Sequence, residues 1–206
     1  MTSIPEIWRG EECFILGGGP SLGNVNLSRL RGKCVIAVNN AYELGPWPVL
    51  LYGDCNWWRS MTNSAGVGHC VALRAWGGLK IHPCQHSCQH RGSVVVQRRD
   101  RGYGVSRRAD ALQWNLSSGG CAIDLAVKFG VRRVVLLGFD MSSVQGKHNW
   151  HAAHGPRSAK FNPYPRHLLP FASIARDLDA LGIECVNATP GSAIINFPMI
   201  DPEAVL

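Results

Sequence analysis

The apolar residues of this chain come in short runs closed by turn residues. "CFILGG", "KCVIAVNN", "PVLLYGD" and "RRVVLLGFD" each set a compact apolar stretch against Gly, Asn or Asp. Such runs predict strands buried on both faces, the second over Cys34 to Val38, the third ending at Asp54 and the clearest ending at Gly138 and Asp140. "NLSRLRG" fits a brief helix or turn. "SSGGCAIDLAVKFG" has helical spacing: Ala122, Leu125, Ala126 and Phe129 fall at i, i+3, i+4 and i+7, and Gly130 closes the element. "LLPFASIARDLDALG" predicts a second amphipathic helix, and "IECVNATPGS" a last strand and loop. From Asn56 to Arg108 the pattern loosens, with "SVVVQ" as one strand candidate. Strands alternating with helices predict an α/β fold with a mainly parallel sheet. The loose region, about 56–110, is read as a lid or insertion on a single domain spanning residues 1–206.

Composition narrows the class. A chain of 206 residues with 46% hydrophobic residues can bury a full core without covalent staples. No apolar run reaches membrane-spanning length, and the start "MTSIPEIWRGEE" has neither the basic nor the apolar part of a signal peptide. The expectation is a cytoplasmic protein with no membrane partner. The eight cysteines then read as buried small hydrophobes or ligands rather than disulfides, with Cys13, Cys34, Cys121 and Cys185 in apolar settings. A net charge of +7, from 21 Lys and Arg against 14 Asp and Glu, suits an anionic partner such as a nucleotide or nucleic acid.

Candidate chemistry collects where the predicted strands end. In parallel sheets, ligands sit beyond the carboxyl ends of the strands. "GGGPSLG" follows the first strand, and bare glycine backbone lets N–H groups approach a phosphate. The loop is neither a G-x-G-x-x-G fingerprint nor a Walker loop, and a tight structural turn is the alternative. Asn39, Asn40, Asp54, Asp140 and Asn187 mark other strand ends. Ser117, Ser118 and Gly119 open the first predicted helix, a second anion-ready terminus.

Taken together, "FILGGGPSL", "VIAVNNAYEL", "SSGGCAIDLAVKFGVRRVVLLGFDM" and "GIECVNATPGSAI" resemble the bacterial sialyltransferases that use CMP-activated sugar. They also resemble the MptE-like 6-hydroxymethylpterin diphosphokinases, and small phage-encoded proteins of this superfamily. The resemblance covers most of the chain but not 56–110. It implies a Rossmann-like three-layer fold and a transferase with a nucleotide-activated donor, most simply a glycosyltransferase using a nucleotide sugar. An Mg²⁺-dependent diphosphokinase and a non-catalytic nucleotide-binding protein are the alternatives. Residue by residue, it places Gly17, Gly18, Gly19, Pro20 and Ser21 at the donor's phosphate or ribose. Asn39 and Asn40 fall on the nucleotide, and Ser117, Ser118 and Gly119 line the donor pocket. The sialyltransferase loop carries Asn where this chain has Gly18, so one side-chain contact is missing. The family's general base, a His after the corresponding strand, has three counterparts in "GKHNWHAAHG": His148, His151 and His154.

Histidine suits deprotonation of an acceptor hydroxyl near neutral pH. His148, nearest the strand end, is the first choice of base and His151 the second. Asp140 and Asp54 are candidates to hold Mg²⁺. "DCNWWRSM" puts Trp57, Trp58 and Arg59 close behind Asp54, where the rings could stack on an acceptor or pack the core. "QRRDRGYGVSRR" supplies Arg98, Arg99 and Arg101 around Tyr103, a pattern suited to phosphate and base contacts. With His154, these residues form the candidate acceptor site, and a hydroxylated base in phage DNA is the candidate acceptor. "HPCQHSCQH" alternates His82, Cys84, His86, Cys88 and His90. Alternation within one strand does not readily wrap four ligands around an ion, which argues against zinc there.

Overall fold

In the computed structural model, residues 3–63, 73, 75–84, 92–151 and 162–206 are described, the side chains of residues 62 and 63 excepted. His86, Cys88, His90 and His154 lie outside the described residues. Eight strands form one sheet: β1 (Glu12–Leu16), β2 (Cys34–Val38), β3 (Val49–Leu51), β4 (Leu79–Cys84), β5 (Val94–Arg99), β6 (Ala111–Gln113), β7 (Arg133–Leu137) and β8 (Glu184–Asn187). Every pairing is parallel, in the order β6-β5-β4-β3-β2-β1-β7-β8. The chain starts in the middle of the sheet, winds out to β6, and returns to lay β7 against the other side of β1. The carboxyl ends of β1 and β7 therefore flank the point where strand order reverses. Loops there must diverge to opposite faces, leaving a crevice between them.

Parallel strands buried on both faces need apolar residues at every position. β1 meets this need: Cys13 and Ile15 pack into one core, Phe14 and Leu16 into the other. The first core is closed by helix α2 (Ser118–Lys128) and helix α4 (Phe171–Ala180), through Ile123, Phe129, Phe171, Ile174 and Leu178. The second is closed by helix α1 (Cys55–Asn63) and 3-10 turns, through Leu22, Tyr42, Trp47, Trp57 and Met61. Cys13, Cys121 and Cys185 are buried as expected, and burial pushes all three thiols up. The second amphipathic segment is split. Pro170 separates helix α3 (Tyr164–Leu168) from α4, because proline cannot donate within a continuing helix.

The described part of 56–110 is not a lid. It supplies α1 and strands β4 and β5, half-way to the β6 edge of the same sheet. β4 reads "LKIHPC", which carries no apolar run, yet Lys80 and His82 are buried. Lys80 Nζ donates to the Trp76 carbonyl at 2.6 Å, and His82 Nδ1 lies 2.9 Å from the Tyr52 carbonyl. Polar residues with satisfied hydrogen bonds occupy a central strand at little cost. The third strand stops at Leu51, three residues short of the expected Asp54. The outer edge of β8 is covered by the chain near the C-terminus. Asn187 N–H donates to the Pro198 carbonyl at 2.8 Å and Ile200 N–H to the Asn187 carbonyl at 3.1 Å.

A buried carboxylate ties β6 to α2. Asp124 Oδ2 accepts from Gln113 N–H at 2.6 Å and Ser106 N–H at 3.2 Å, and Lys128 Nζ lies 3.7 Å from Oδ1. Burial pushes the Asp124 carboxyl up to about 6, opposed by Lys128 and by the two N–H donors.

Candidate functional site

A cavity of about 420 Å³ opens at the β1–β7 reversal point. Its wall is built by the loops after β1, β2 and β7, the start of α2, and the segments around His148 and Tyr164. The glycine triplet divides its work. Gly17 N–H donates to the Leu137 carbonyl and Gly19 N–H to the Gly138 carbonyl, each at 2.8 Å. A Cβ on Gly17 would overlap the Gly138 carbonyl oxygen, and one on Gly19 would lie 2.6 Å from Asp140 Cγ. These two glycines are bare because the β7 loop passes directly against them. Gly18 differs: its Cβ would meet only Asn149 Oδ1, at 3.3 Å, and its N–H has no partner among the described residues. The triplet is therefore mainly a close backbone crossing, with one N–H left for a ligand.

Asp140 locks this crossing. Its Oδ1 accepts from Ser21 N–H at 3.1 Å and its Oδ2 from Ser21 Oγ at 2.8 Å, and the residue is 1% exposed. Both oxygens hold the β1 loop to the β7 loop. Ser21 itself is set behind the cavity wall and acts on it through Asp140. Asp54 also lines the cavity, and it caps α1 through Asn56 N–H at 2.7 Å. The two carboxylates read as Mg²⁺ candidates thus carry structural hydrogen bonds, and a metal would compete with Ser21 for Asp140.

Asn39 has φ of 51° and lines the cavity, and its buried Oδ1 has no hydrogen-bond partner. A buried acceptor without a donor is costly, and a ligand donor would relieve it. Asn40 is turned away: its Oδ1 accepts from Trp57 Nε1 at 2.7 Å and its Nδ2 donates to Glu43 at 3.2 Å. At the start of α2, Ser117 Oγ caps Gly120 N–H at 3.0 Å and Ser118 Oγ accepts from Gly53 N–H at 3.2 Å. The N–H groups of Ser118 and Gly119 have no partner among the described residues and sit at the cavity wall. With Gly18, on the loop after β1, they give the cavity three backbone donors, two of them at the start of α2, suited to an anion. Leu116 and Met141, with φ of 58° and 50°, line the same cavity. With Asn39, three of the five described non-glycine residues at positive φ, including Asn115 and Gln145, meet there, as backbone strain tends to at functional sites.

His148 faces the cavity, its ring stacked on Tyr164 with centroids 5.7 Å apart. Tyr164 Oη lies 3.2 Å from the His148 carbonyl and 3.0 Å from His148 Nδ1. The hydroxyl has one proton. In the arrangement where it goes to the carbonyl, Nδ1–H donates to Oη and Nε2 carries the lone pair; where it goes to Nδ1, the proton sits on Nε2. Burial raises the Tyr164 hydroxyl, with the Asp140 charge adding to it, which keeps the phenol protonated. His167 also lines the cavity, and burial followed by the Arg166 charge holds it below its ordinary value. Tyr164, His167, Trp114 and Asn149 were not legible as site residues. Tyr164 and His167 arrive from a segment with no strand-end or glycine signal, and Trp114 and Asn149 carry no charge or base chemistry of their own to mark them. A second hollow of about 390 Å³ shares Met141, Ser142, His148 and Tyr164 with the first, so His148 lies where the two adjoin.

The remaining candidates are not gathered here. His151 packs edge-on against Trp150 and does not line either hollow. Trp57 is core, and Trp58 stacks on Tyr52 at 4.9 Å. Arg59 is exposed on α1. Arg98 pairs with Asp100 at 2.8 Å, lies over the Trp114 ring at 4.8 Å and donates to the Gly53 carbonyl at 3.4 Å, and it does not line the cavity itself. Arg99 and Arg101 are exposed. No helix among the described residues is long and apolar enough to cross a membrane.

No protein-family model matches the chain, and no curated protein matches it. Among solved structures, the chain is similar to the sialyltransferase CstII from Campylobacter jejuni, solved in complex with a substrate analogue, CMP-3FNeuAc. The two share 15% sequence identity at a TM-score of 0.55, over 92% of this chain and 86% of that one. The likeness establishes the fold: a Rossmann-like α/β architecture of three layers around one parallel sheet.

Proposed function

We propose that the protein is a glycosyltransferase that takes its sugar from a nucleotide-activated donor bound in the cavity between β1 and β7. One observation carries the reading. The backbone donors of Gly18, Ser118 and Gly119, the unpartnered Asn39 Oδ1 and the His148 imidazole all belong to a single cavity at the reversal point of the sheet. The fold neighbour's complex with a CMP-sugar analogue supports the donor class.

In this reading the donor phosphate lies against the three N–H groups and the start of α2, where positive partial charge is fixed in advance. Asn39 Oδ1 accepts from a donor group of the nucleoside. The acceptor hydroxyl enters from the second hollow. His148 Nε2 takes its proton as the oxygen attacks the anomeric carbon. The bond from that carbon to the phosphate oxygen breaks, and its electron pair leaves on the nucleotide. Tyr164 holds the imidazole in the tautomer this step requires. In this reading the backbone donors offset the charge that develops on the leaving phosphate. A hydroxylated base in DNA is one acceptor that this scheme accommodates.

The test is a thermal-shift screen with CMP, UMP, GMP and AMP and their sugar conjugates, followed by transfer assays on hydroxymethylated DNA and on free hydroxyl sugars. One nucleotide should raise the melting temperature in a concentration-dependent way. His148→Gln should keep that shift and lose transfer. Absence of any nucleotide-dependent shift would overturn the reading, and Mg²⁺-dependent turnover of ATP to AMP would replace it with a diphosphokinase.

A further inference from the structure

We propose that Cys55, His82 and Cys84 form a zinc site, separate from the cavity and independent of the reaction assigned to it. The three ligand atoms lie within 4.8 Å of one another, and Cys55 Sγ is 3.4 Å from His82 Nε2. Zinc bonds of about 2.3 Å to sulfur and about 2.0 Å to nitrogen set the S···N edge of a tetrahedron at about 3.5 Å. The observed edge is already of that length.

The alternation of "HPCQHSCQH" argues against zinc only while all ligands must come from one strand. The fold removes that objection. His82 and Cys84 sit at i and i+2 of β4, on one face, and Cys55 comes from the first residue of α1. Two elements that are distant in sequence thus converge on one point.

The histidine is also prepared as a ligand. His82 Nδ1–H donates to the Tyr52 carbonyl at 2.9 Å, which leaves the Nε2 lone pair directed at Cys55. The Tyr52 ring lies parallel to His82, with centroids 4.9 Å apart and an interplanar angle of 11°. A carbonyl on the remote nitrogen and a ring held in place are the outer-shell features that orient metal-bound imidazoles. The charge balances as well: two thiolates and a neutral imidazole cancel Zn²⁺, so the site can be buried, as His82 and Cys84 are. Soft sulfur and imidazole ligands select zinc over Mg²⁺ or Ca²⁺. The fourth position falls to water or to a ligand beyond these three. The bound ion would fasten α1 to β4 and so fix Asp54, the neighbour of Cys55 at the cavity lip.

The full chain, purified without a histidine tag, stripped with chelator and then given Zn²⁺ or Co²⁺ alone, tests the site. The expected result is about one tightly held equivalent of zinc. The cobalt form should show thiolate-to-metal charge transfer and tetrahedral d–d bands, with Cys55→Ser and Cys84→Ser each lowering the charge-transfer band by about half. Zinc should also protect half-buried Cys55 of the wild-type chain from alkylation while leaving the likewise half-buried Cys34 unaffected, a readout that does not depend on variants folding. Metal content well below one equivalent, cobalt spectra unchanged in both serine variants, or equal alkylation with and without zinc would each overturn the proposal.

Discussion

Gly19→Ala probes the crossing of the β1 and β7 loops most directly. Gly19 has φ of −70° and ψ of 156°, a conformation alanine adopts freely. On backbone entropy alone the change should stabilise by about 0.4–1 kcal/mol. The contacts reverse the sign. The new Cβ would lie 2.6 Å from Asp140 Cγ and 2.7 Å from the Gly138 carbonyl oxygen, well inside ordinary van der Waals separation. Asp140 must leave its position, which breaks both hydrogen bonds to Ser21. Hydrogen bonds to a charged group contribute about 1.5–3 kcal/mol each, and overpacking against the carbonyl adds about 1–3 kcal/mol. A net loss of about 3–9 kcal/mol follows, a large share of the roughly 5–15 kcal/mol that holds a domain folded. Urea unfolding, read as a shift in midpoint at constant slope, measures it. A double-mutant cycle with Asp140→Ala separates the causes. Once the carboxylate is gone, Gly19→Ala should cost only about 1–2 kcal/mol, from the carbonyl contact. A single-variant cost below about 0.5 kcal/mol, or the same cost in both backgrounds, refutes the reasoning.

Asn39→Gly keeps the left-handed backbone and removes only the side chain, so it should weaken nucleotide binding about tenfold in calorimetry while leaving the melting temperature of the free protein within a few degrees. Tyr164→Phe deletes the hydroxyl beside His148 Nδ1; kcat should fall about 10- to 100-fold with KM little changed, and the pH–rate profile should move. Burial pushes the Asp124 carboxyl up to about 6 in the folded chain, against about 3.9 for a free Asp, so between those pH values the folded state binds more protons. Its contribution to stability therefore falls as pH rises from about 4 to about 6, by about 3 kcal/mol in full. Relative to wild type, Asp124→Asn should flatten that slope in unfolding experiments run across the window; parallel slopes would contradict it.

The strands nearest the reversal point were legible because parallel strands in mid-sheet are apolar on both faces. β2 appears over Cys34–Val38 as expected, and α2 begins at the Ser–Gly signal. Toward the β6 edge, β5 matches the "SVVVQ" candidate, while β4 and β6 carry no such apolar run. β4 carries Lys80, His82 and Pro83, and its burial depends on hydrogen bonds to the Trp76 and Tyr52 carbonyls that no local pattern encodes. The site divides likewise. Gly18, Asn39, Ser118 and His148 stand at strand ends or in a dense motif, so residue type and position marked them. Tyr164, His167 and Trp114 reach the cavity only because the chain returns to it.

Local sequence determined that β1, β2, β7, β8 and α2 form and which residues stand at their ends, since period, turn chemistry and capping act within a few residues. Only the tertiary structure decided that the glycine triplet is a crossing of two loops, that Asp140 clasps Ser21 119 positions away, and that Cys55 meets His82. Those outcomes depend on strand order, and strand order is set by contacts between segments far apart in the chain.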